Sequence, residues 1–295
     1  MELARCARSG RARVLLAACG IIWGATFVAM KVLTQHFDTL EIVGLRFAIG
    51  LPLLFAIIRA QKISLAFDRR DATPLALGGA ILLYHFLAQP YALQFTSATN
   101  TGWIITFSPL AIALLSFVFL REKISPRVGG GIALAAFGIA LLVSRGDPRS
   151  LVALHNVGDW LILSTAFTWA LYTIVTRDVA RRRSPLAVTS ILFVPLLAVG
   201  AARLATHASW STFAALPIAA WVSIAFLGVF GTLAQWFWQL GVARIGAARA
   251  GVYVYLEPIA STVLGVAWLG ESYDSFAVIG SALVLGGVIV AHERG

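Results

Sequence analysis

The chain has 295 residues, of which 59% are hydrophobic and only 12% charged, about half the roughly 25% charged content of soluble domains. A mean hydropathy of +0.86 leaves more apolar surface than a soluble fold of this size can bury, which points to an integral membrane protein and argues against a soluble enzyme. The net charge of +10 is carried by short basic clusters between long apolar runs, the pattern of membrane topology rather than of a nucleic-acid surface.

A spanning helix needs roughly 20 apolar residues. Ten such stretches are predicted, near 13–34, 39–59, 73–94, 98–120, 126–144, 157–179, 185–205, 217–240, 247–269 and 274–292. The first, from Val14 to about Val32, is too long for a signal-peptide core and is expected to be retained. Cys6 and Cys19 suggest neither a disulfide framework nor a metal site. The expected fold class is therefore an all-α membrane protein of ten transmembrane helices.

The basic residues orient these spans. With a cytoplasmic N-terminus, the inner side collects Arg5, Arg8, Arg11 and Arg13, then Arg59, Lys62, Arg69 and Arg70. Arg121, Lys123, Arg127, Arg177, Arg181, Arg182, Arg183, Arg244, Arg249 and Arg294 fall on the same side. The outer loops hold Lys31, Arg145, Arg149 and Arg203. Eighteen against four is a strong positive-inside bias. Both termini are expected in the cytoplasm of a cell inner (plasma) membrane.

The two halves, 1–145 and 146–295, resemble each other. Shifting residues 91–141 by 149 matches eleven positions, among them Gly102/Gly251, Pro109/Pro258, Glu122/Glu271, Gly131/Gly280 and Gly138/Gly287. A shift of 146 sets Trp23 on Trp169 and Lys31 on Arg177. Each half holds an odd number of spans, five, so the second enters the membrane upside down. Loop charges agree, since Arg121-Glu122-Lys123 in the first half becomes Gly270-Glu271-Ser272 in the second. Two inverted-topology five-helix repeats are expected, with a site near mid-membrane at their interface.

Five plus five spans, a Trp in helices 1 and 6, Arg46-Phe47 in helix 2, and a mid-helix Pro followed by a Glu in helices 4 and 9 resemble the EamA-type carriers of the drug/metabolite transporter superfamily. The stretch from Trp169 to Arg181 resembles the bacterial aromatic amino-acid exporters of that superfamily in particular. Arg46 is not duplicated, because Arg46-Phe47 aligns with Leu192-Phe193. The resemblance implies export of metabolites, amino acids or drugs by alternating access.

Several intramembrane residues are candidates for the transport path. A mid-bilayer charge needs a partner or a wet cavity. Glu257 therefore binds an amino group, takes a proton, or pairs with an arginine such as Arg46. Arg46 either pairs with Glu41, five residues before it, or meets a substrate carboxylate. Tyr84, His85 and Gln89 in helix 3 form a polar group, with His85 either titrating or bridging helices. Gln235, Trp238, Trp103, Trp169, Tyr172 and Tyr253 add polar and aromatic surface suited to an amphipathic substrate. Trp160, Trp210 and Trp221 are expected at the membrane interfaces. Gly131, Gly138, Gly280 and Gly287 are packing positions, and Pro109 and Pro258 are either hinges of rocking halves or simple bends.

No triad, metal-ligand cluster or nucleotide-binding glycine loop occurs, so the sequence predicts no enzyme, no cofactor and no metal. The expected partners are a small-molecule substrate (an amino acid or amphipathic metabolite) and the lipid bilayer. No nucleic acid is implied, and a monomer suffices for a complete pathway. Aromatic or neutral amino acids lead as substrate class, with proton-coupled antiport of lipophilic cationic drugs as the alternative.

Overall fold

A computed structural model describes residues 2–120, 126–147, 157–207, 213–245 and 252–291. Arg121, Glu122, Lys123, Arg149, Trp210, Ala247, Arg249, Gly251 and Arg294 lie outside these residues, as do the side chains of Arg5, Cys6, Arg8 and Arg11. Among the described residues every regular element is helical. In chain order they are α1 (Glu2–Leu33), α2 (Thr39–Ala60), α3 (Arg69–Ala92), α4 (Ala98–Ile105), α5 (Ser108–Leu120) and α6 (Pro126–Ser144). Then follow α7 (Val157–Arg182), α8 (Pro185–His207), α9 (Ile218–Phe226), a π-helical turn (Leu227–Gly231) and α10 (Thr232–Ile245). A 3-10 turn (Val252–Tyr255), α11 (Leu256–Leu269) and α12 (Ser275–Ala291) complete the described chain.

Among the described residues, six stretches are long and apolar enough to cross a membrane: Arg13–Leu33, Thr39–Ala60, Arg69–Ala92, Ala98–Phe119, Pro185–His207 and Ile218–Gly241. Shorter apolar helices cover Gly129–Leu142, Tyr253–Leu269 and Ser275–Gly287. Apolar side chains such as Phe119, Phe137, Val263, Trp268 and Ile289 face outward and are more than half exposed. A patchwork of this kind belongs in lipid, and the chain is a multi-pass membrane protein. Trp160 and Trp221 are partly exposed near the starts of α7 and α9, and Trp268, near the end of α11, is exposed too.

Local chemistry sets the helix ends. Asp38 accepts from the Glu41 backbone N–H while Glu41 accepts from that of Asp38, both at 2.9 Å, closing a capping box at the start of α2. Glu41 is thereby engaged at a helix end rather than with Arg46. Ser97 caps α4 through the Asn100 N–H at 2.9 Å, and Asp274 caps α12 through that of Ala277 at 2.8 Å. Gly270 ends α11 in the left-handed region, at φ +67.

The stretch 98–120 is broken rather than continuous. Its chain turns at Thr106–Phe107, and Pro109 falls in the first turn of α5. Pro258 likewise falls in the first turn of α11, after the 3-10 turn. At a helix start the missing proline N–H costs little, so both prolines begin new helices instead of bending long ones.

Helices pair closely as α6 with α12, α2 with α8, α3 with α7, α4 with α11, and α1 with both α10 and α11. Several of these contacts exist because a Cβ is absent. A Cβ on Gly138 would meet the Gly280 carbonyl oxygen at 2.7 Å, and one on Gly280 would meet that of Gly138 at 2.8 Å. A Cβ on Gly287 would meet the Gly131 carbonyl oxygen at 2.6 Å, and one on Gly44 that of Gly200, also at 2.6 Å. Without a hydrophobic drive between helices in lipid, such close backbone contact is what holds them.

Ion pairs tie helix ends. Asp71, fully buried, accepts from Arg182 and Arg183 at 2.9 Å each, and Arg203 donates to Asp38 at the other end of the bundle. Burial pushes the Asp38 carboxyl up. The Glu41 backbone N–H and the Arg203 guanidinium outweigh that and hold it below its ordinary value.

Two measurements on purified protein in detergent test this packing. Gly138→Leu is expected to lower stability by about 1–3 kcal/mol through overpacking, whereas Gly130→Ala, with nothing within 4 Å of the new Cβ, leaves the melting temperature unchanged or raises it. Because the Asp38 carboxyl is depressed, its contribution is complete above the ordinary aspartate range and is lost as pH falls. The melting-temperature gap between wild type and Asp38→Asn is therefore expected to close as pH falls below the ordinary aspartate range.

Candidate functional site

Four aromatic rings meet where α1, α7 and α10 converge. Trp23 of α1 contacts Trp169 of α7 edge-on, with centroids 5.5 Å apart, and Trp238 of α10 at 5.4 Å. Tyr172, one turn after Trp169, packs against it with the rings tilted by 50° and centroids 5.3 Å apart. Next to this group Phe47, Phe86 and Phe193 form a triangle with separations of 4.7 to 5.7 Å. Two pairs that match under the shift of 146, Trp23/Trp169 and Phe47/Phe193, are thus in direct contact.

Glycines on α1 bring these rings together. The carbonyl oxygens of Tyr253 and Glu257 occupy the places where Cβ atoms of Gly20 and Gly24 would stand. The pair Gly20-x-x-x-Gly24 forms one face of α1, against the 3-10 turn and α11. Trp23 lies on a neighbouring face and turns inward to Trp169 and Trp238. This spacing is the sequence signal that reasoning from intramembrane polar residues passes over.

Polar groups line the same region. His85 of α3 is buried against Trp169 at 5.4 Å. Its Nδ1 lies 3.2 Å from both the Thr165 carbonyl and the Thr168 hydroxyl. Since a carbonyl only accepts, Nδ1 carries the proton and Nε2 accepts from Gln89 at 3.2 Å. His85 and Gln89 therefore form a satisfied bridge from α3 to α7. Gln239 donates to the Tyr172 hydroxyl at 2.6 Å.

Arg46 and Glu257 are both buried, at 5% and 4% exposure, and no ion pair joins them among the described residues. Arg46 instead lies over Phe86, its guanidinium carbon 4.7 Å from the ring centroid, and 5.5 Å from that of Phe47. Glu257 lies in the first turn of α11 opposite Gly24, and the Cys19 thiol donates to the Ala234 carbonyl at 3.2 Å.

Of the sequence candidates, His85, Gln89, Trp169, Tyr172, Gln235, Trp238 and Glu257 come together around this centre. Tyr253 packs at its edge, partly buried. Trp103 is apart from it, buried between α4 and α11 with its indole N–H donating to Thr262 at 3.0 Å. Tyr84 is 44% exposed and bonds Ser164 at 2.8 Å on the outer side of α3 and α7. Trp23, Phe47 and Phe86 belong to the centre although the polar-residue argument did not select them. Among the described residues no three His, Cys, Asp or Glu side chains converge as metal ligands.

Heat or denaturant unfolding in detergent checks the centre's packing. Trp169→Ala, which opens a cavity among three other rings, is expected to cost about 3–5 kcal/mol. Tyr172→Phe, which leaves the Gln239 donor unmatched, is expected to cost about 1–3 kcal/mol.

The profile of the EamA-like transporter family matches residues 11–144 and again 156–292. The chain is 27% identical to the uncharacterized transporter YyaM of Bacillus subtilis over 94% of its own length and 92% of that protein's. It is 26% identical to a protein of Streptantibioticus cattleyicolor named a probable terminal-alkyne amino-acid exporter, over 93% of this chain and 91% of the other. One solved crystal structure superposes with a TM-score of 0.67 at 22% identity, covering 96% of both chains, a likeness of fold.

Proposed function

The chain belongs to the EamA-like transporter family, and on that premise we propose that it exports small amphipathic metabolites, foremost aromatic or neutral amino acids, by alternating access. In this reading ten spans form two inverted five-helix repeats, 1–145 and 146–295, with both termini in the cytoplasm at the inner membrane. The halves rock around the aromatic centre.

The observation that carries the reading is the contact of Trp23 with Trp169 and of Phe47 with Phe193. Equivalent residues of two repeats touch each other only on the two-fold axis relating them, and a substrate site is expected on that interface. The crossed glycine contacts fit the same axis. Gly138 meets Gly280 and Gly287 meets Gly131, and the two contacts exchange when each residue is replaced by its repeat counterpart. The double match of one family profile, once in each half, points the same way.

The proposed substrate path runs past His85, Trp169, Tyr172, Gln235, Trp238 and Glu257. Flat rings with sparse polar groups suit a substrate having an aromatic body and a polar head. Support for amino acids as the class comes from the relative named as an amino-acid exporter and from the resemblance of Trp169–Arg181 to aromatic amino-acid exporters. A second reading, proton-coupled antiport of lipophilic cations, is favoured by the buried Glu257 carboxylate.

Purified protein in liposomes distinguishes the two. Saturable uptake of labelled phenylalanine, competed by tryptophan, is expected for the amino-acid carrier and persists in Glu257→Gln if no proton is exchanged. No phenylalanine flux, with a lipophilic cation moving against a pH gradient and Glu257→Gln abolishing that movement, would sink the amino-acid reading in favour of antiport.

A further inference from the structure

The centre holds a set of buried hydrogen-bond donors that the aromatic site does not use. The Nε of Arg46, the Oγ1 of Thr232 and the Nε2 of Gln235 are each buried with no hydrogen-bond partner among the described residues. Their side chains belong to residues 95%, 100% and 99% removed from solvent by the exposures of 5%, 0% and 1%.

The three groups share one region. A Cβ on Gly231, the last residue of the π-helical turn, would stand 3.2 Å from Arg46 Nη2, so the missing side chain leaves room beside the guanidinium. Thr232 follows directly. Its hydroxyl sits where a Cβ of Gly50, one turn from Arg46 on α2, would be. Gln235 lies one turn further along α10, on the same face as Gly231 and Thr232. The wide turn at Leu227–Gly231 is a form of helix irregularity frequent at functional sites.

Two of these groups can only donate and the hydroxyl can do so, and one of the three is a cation. A buried charge and buried amide without acceptors are costly, and the group that satisfies them all is an anion. A planar carboxylate matches the guanidinium fork best. Glu257, also buried, makes no ion pair with Arg46 among the described residues. Arg46 lies at the level of Thr26, whose methyl flanks the same Gly231 position.

We infer that Arg46, Thr232 and Gln235 form the subsite for the substrate's carboxylate. The inference rests on the reading of the chain as a carrier of amphipathic metabolites and narrows the cargo to carboxylates, zwitterions above all. Arg46 thereby selects against amines that lack the acid group.

Binding to purified protein, followed by ligand-dependent thermal shift, tests it with phenylalanine, 3-phenylpropionate (no ammonium) and phenethylamine (no carboxylate). Arg46→Gln is expected to weaken the two carboxylates by about ten- to hundredfold, the worth of one or two charge-assisted hydrogen bonds, and to leave phenethylamine unchanged. Arg46→Lys recovers part of the loss, and Thr232→Val weakens the carboxylates by a smaller factor. These two variants carry the test if Arg46→Gln does not fold. Unchanged carboxylate affinity in the variants, an equal loss for phenethylamine, or no carboxylate binding to wild type overturns the inference. Phenylalanine flux through the wild type together with unaltered binding in Arg46→Gln fails this subsite alone. Arg46-dependent binding of 3-phenylpropionate without phenylalanine flux fails the amino-acid reading alone.

Discussion

Close backbone contact at α1 is the constraint on which the centre depends. Helices in lipid gain nothing from hiding apolar surface against one another, so association relies on van der Waals fit. At Gly20 and Gly24 the backbone of α1 rests directly on the carbonyls of Tyr253 and Glu257. On its other side, Gly241 of α10 closes on Leu16, whose Cγ lies 2.5 Å from where its Cβ would be. Held from both sides, α1 can present Trp23 in only one direction, toward Trp169 and Trp238. The aromatic centre is thus a consequence of two missing side chains one turn apart.

The helices were legible because length and apolarity decide them. The expected stretches at 39–59, 126–144 and 185–205 coincide closely with α2, α6 and α8. Where the chain departs from a plain helix, at Thr106–Phe107 and at Leu227–Gly231, hydropathy carries no signal, since the interrupting residues are themselves apolar or small. The faces of the helices were harder to read. A helix apolar all round has no stripe to say which side looks inward, which is why Tyr84 and His85, adjacent in sequence, end on the outside and the inside of α3. Trp23 stood out only as a repeat match. Its role as a neighbour of Trp169 and Trp238 depends on Gly20-x-x-x-Gly24, a pattern that an argument built on polar residues does not consult.

The buried polar groups fall into two kinds. Most are spent on architecture. Hydroxyls of Thr165, Thr176, Thr189 and Ser190 return to carbonyls of their own helix, and His85 and Gln89 complete a bridge between helices. Their partners are local in sequence or fixed by one packing contact. The Nε of Arg46, the Oγ1 of Thr232 and the Nε2 of Gln235 are different, because no hydrogen-bond partner takes them up among the described residues. In a low-dielectric interior a buried polar group without a partner is costly.

The short turn between α3 and α4 receives opposite charges on its two sides. Lys31 from α1 donates to the carbonyls of Leu93 and Thr96, while Glu271, just past α11, accepts from the amides of Ala98 and Thr99 at 2.7 and 2.9 Å. The cation meets the trailing carbonyls of one helix and the carboxylate the leading amides of the next, so each charge sits where the peptide dipoles favour it. Thr96 also reaches Asp159 of α7. Three separate segments are thereby fastened to one short turn. Parting any one of them bares backbone groups that the others help to hold, so that end of the bundle is built to open as a cooperative unit rather than to fray helix by helix.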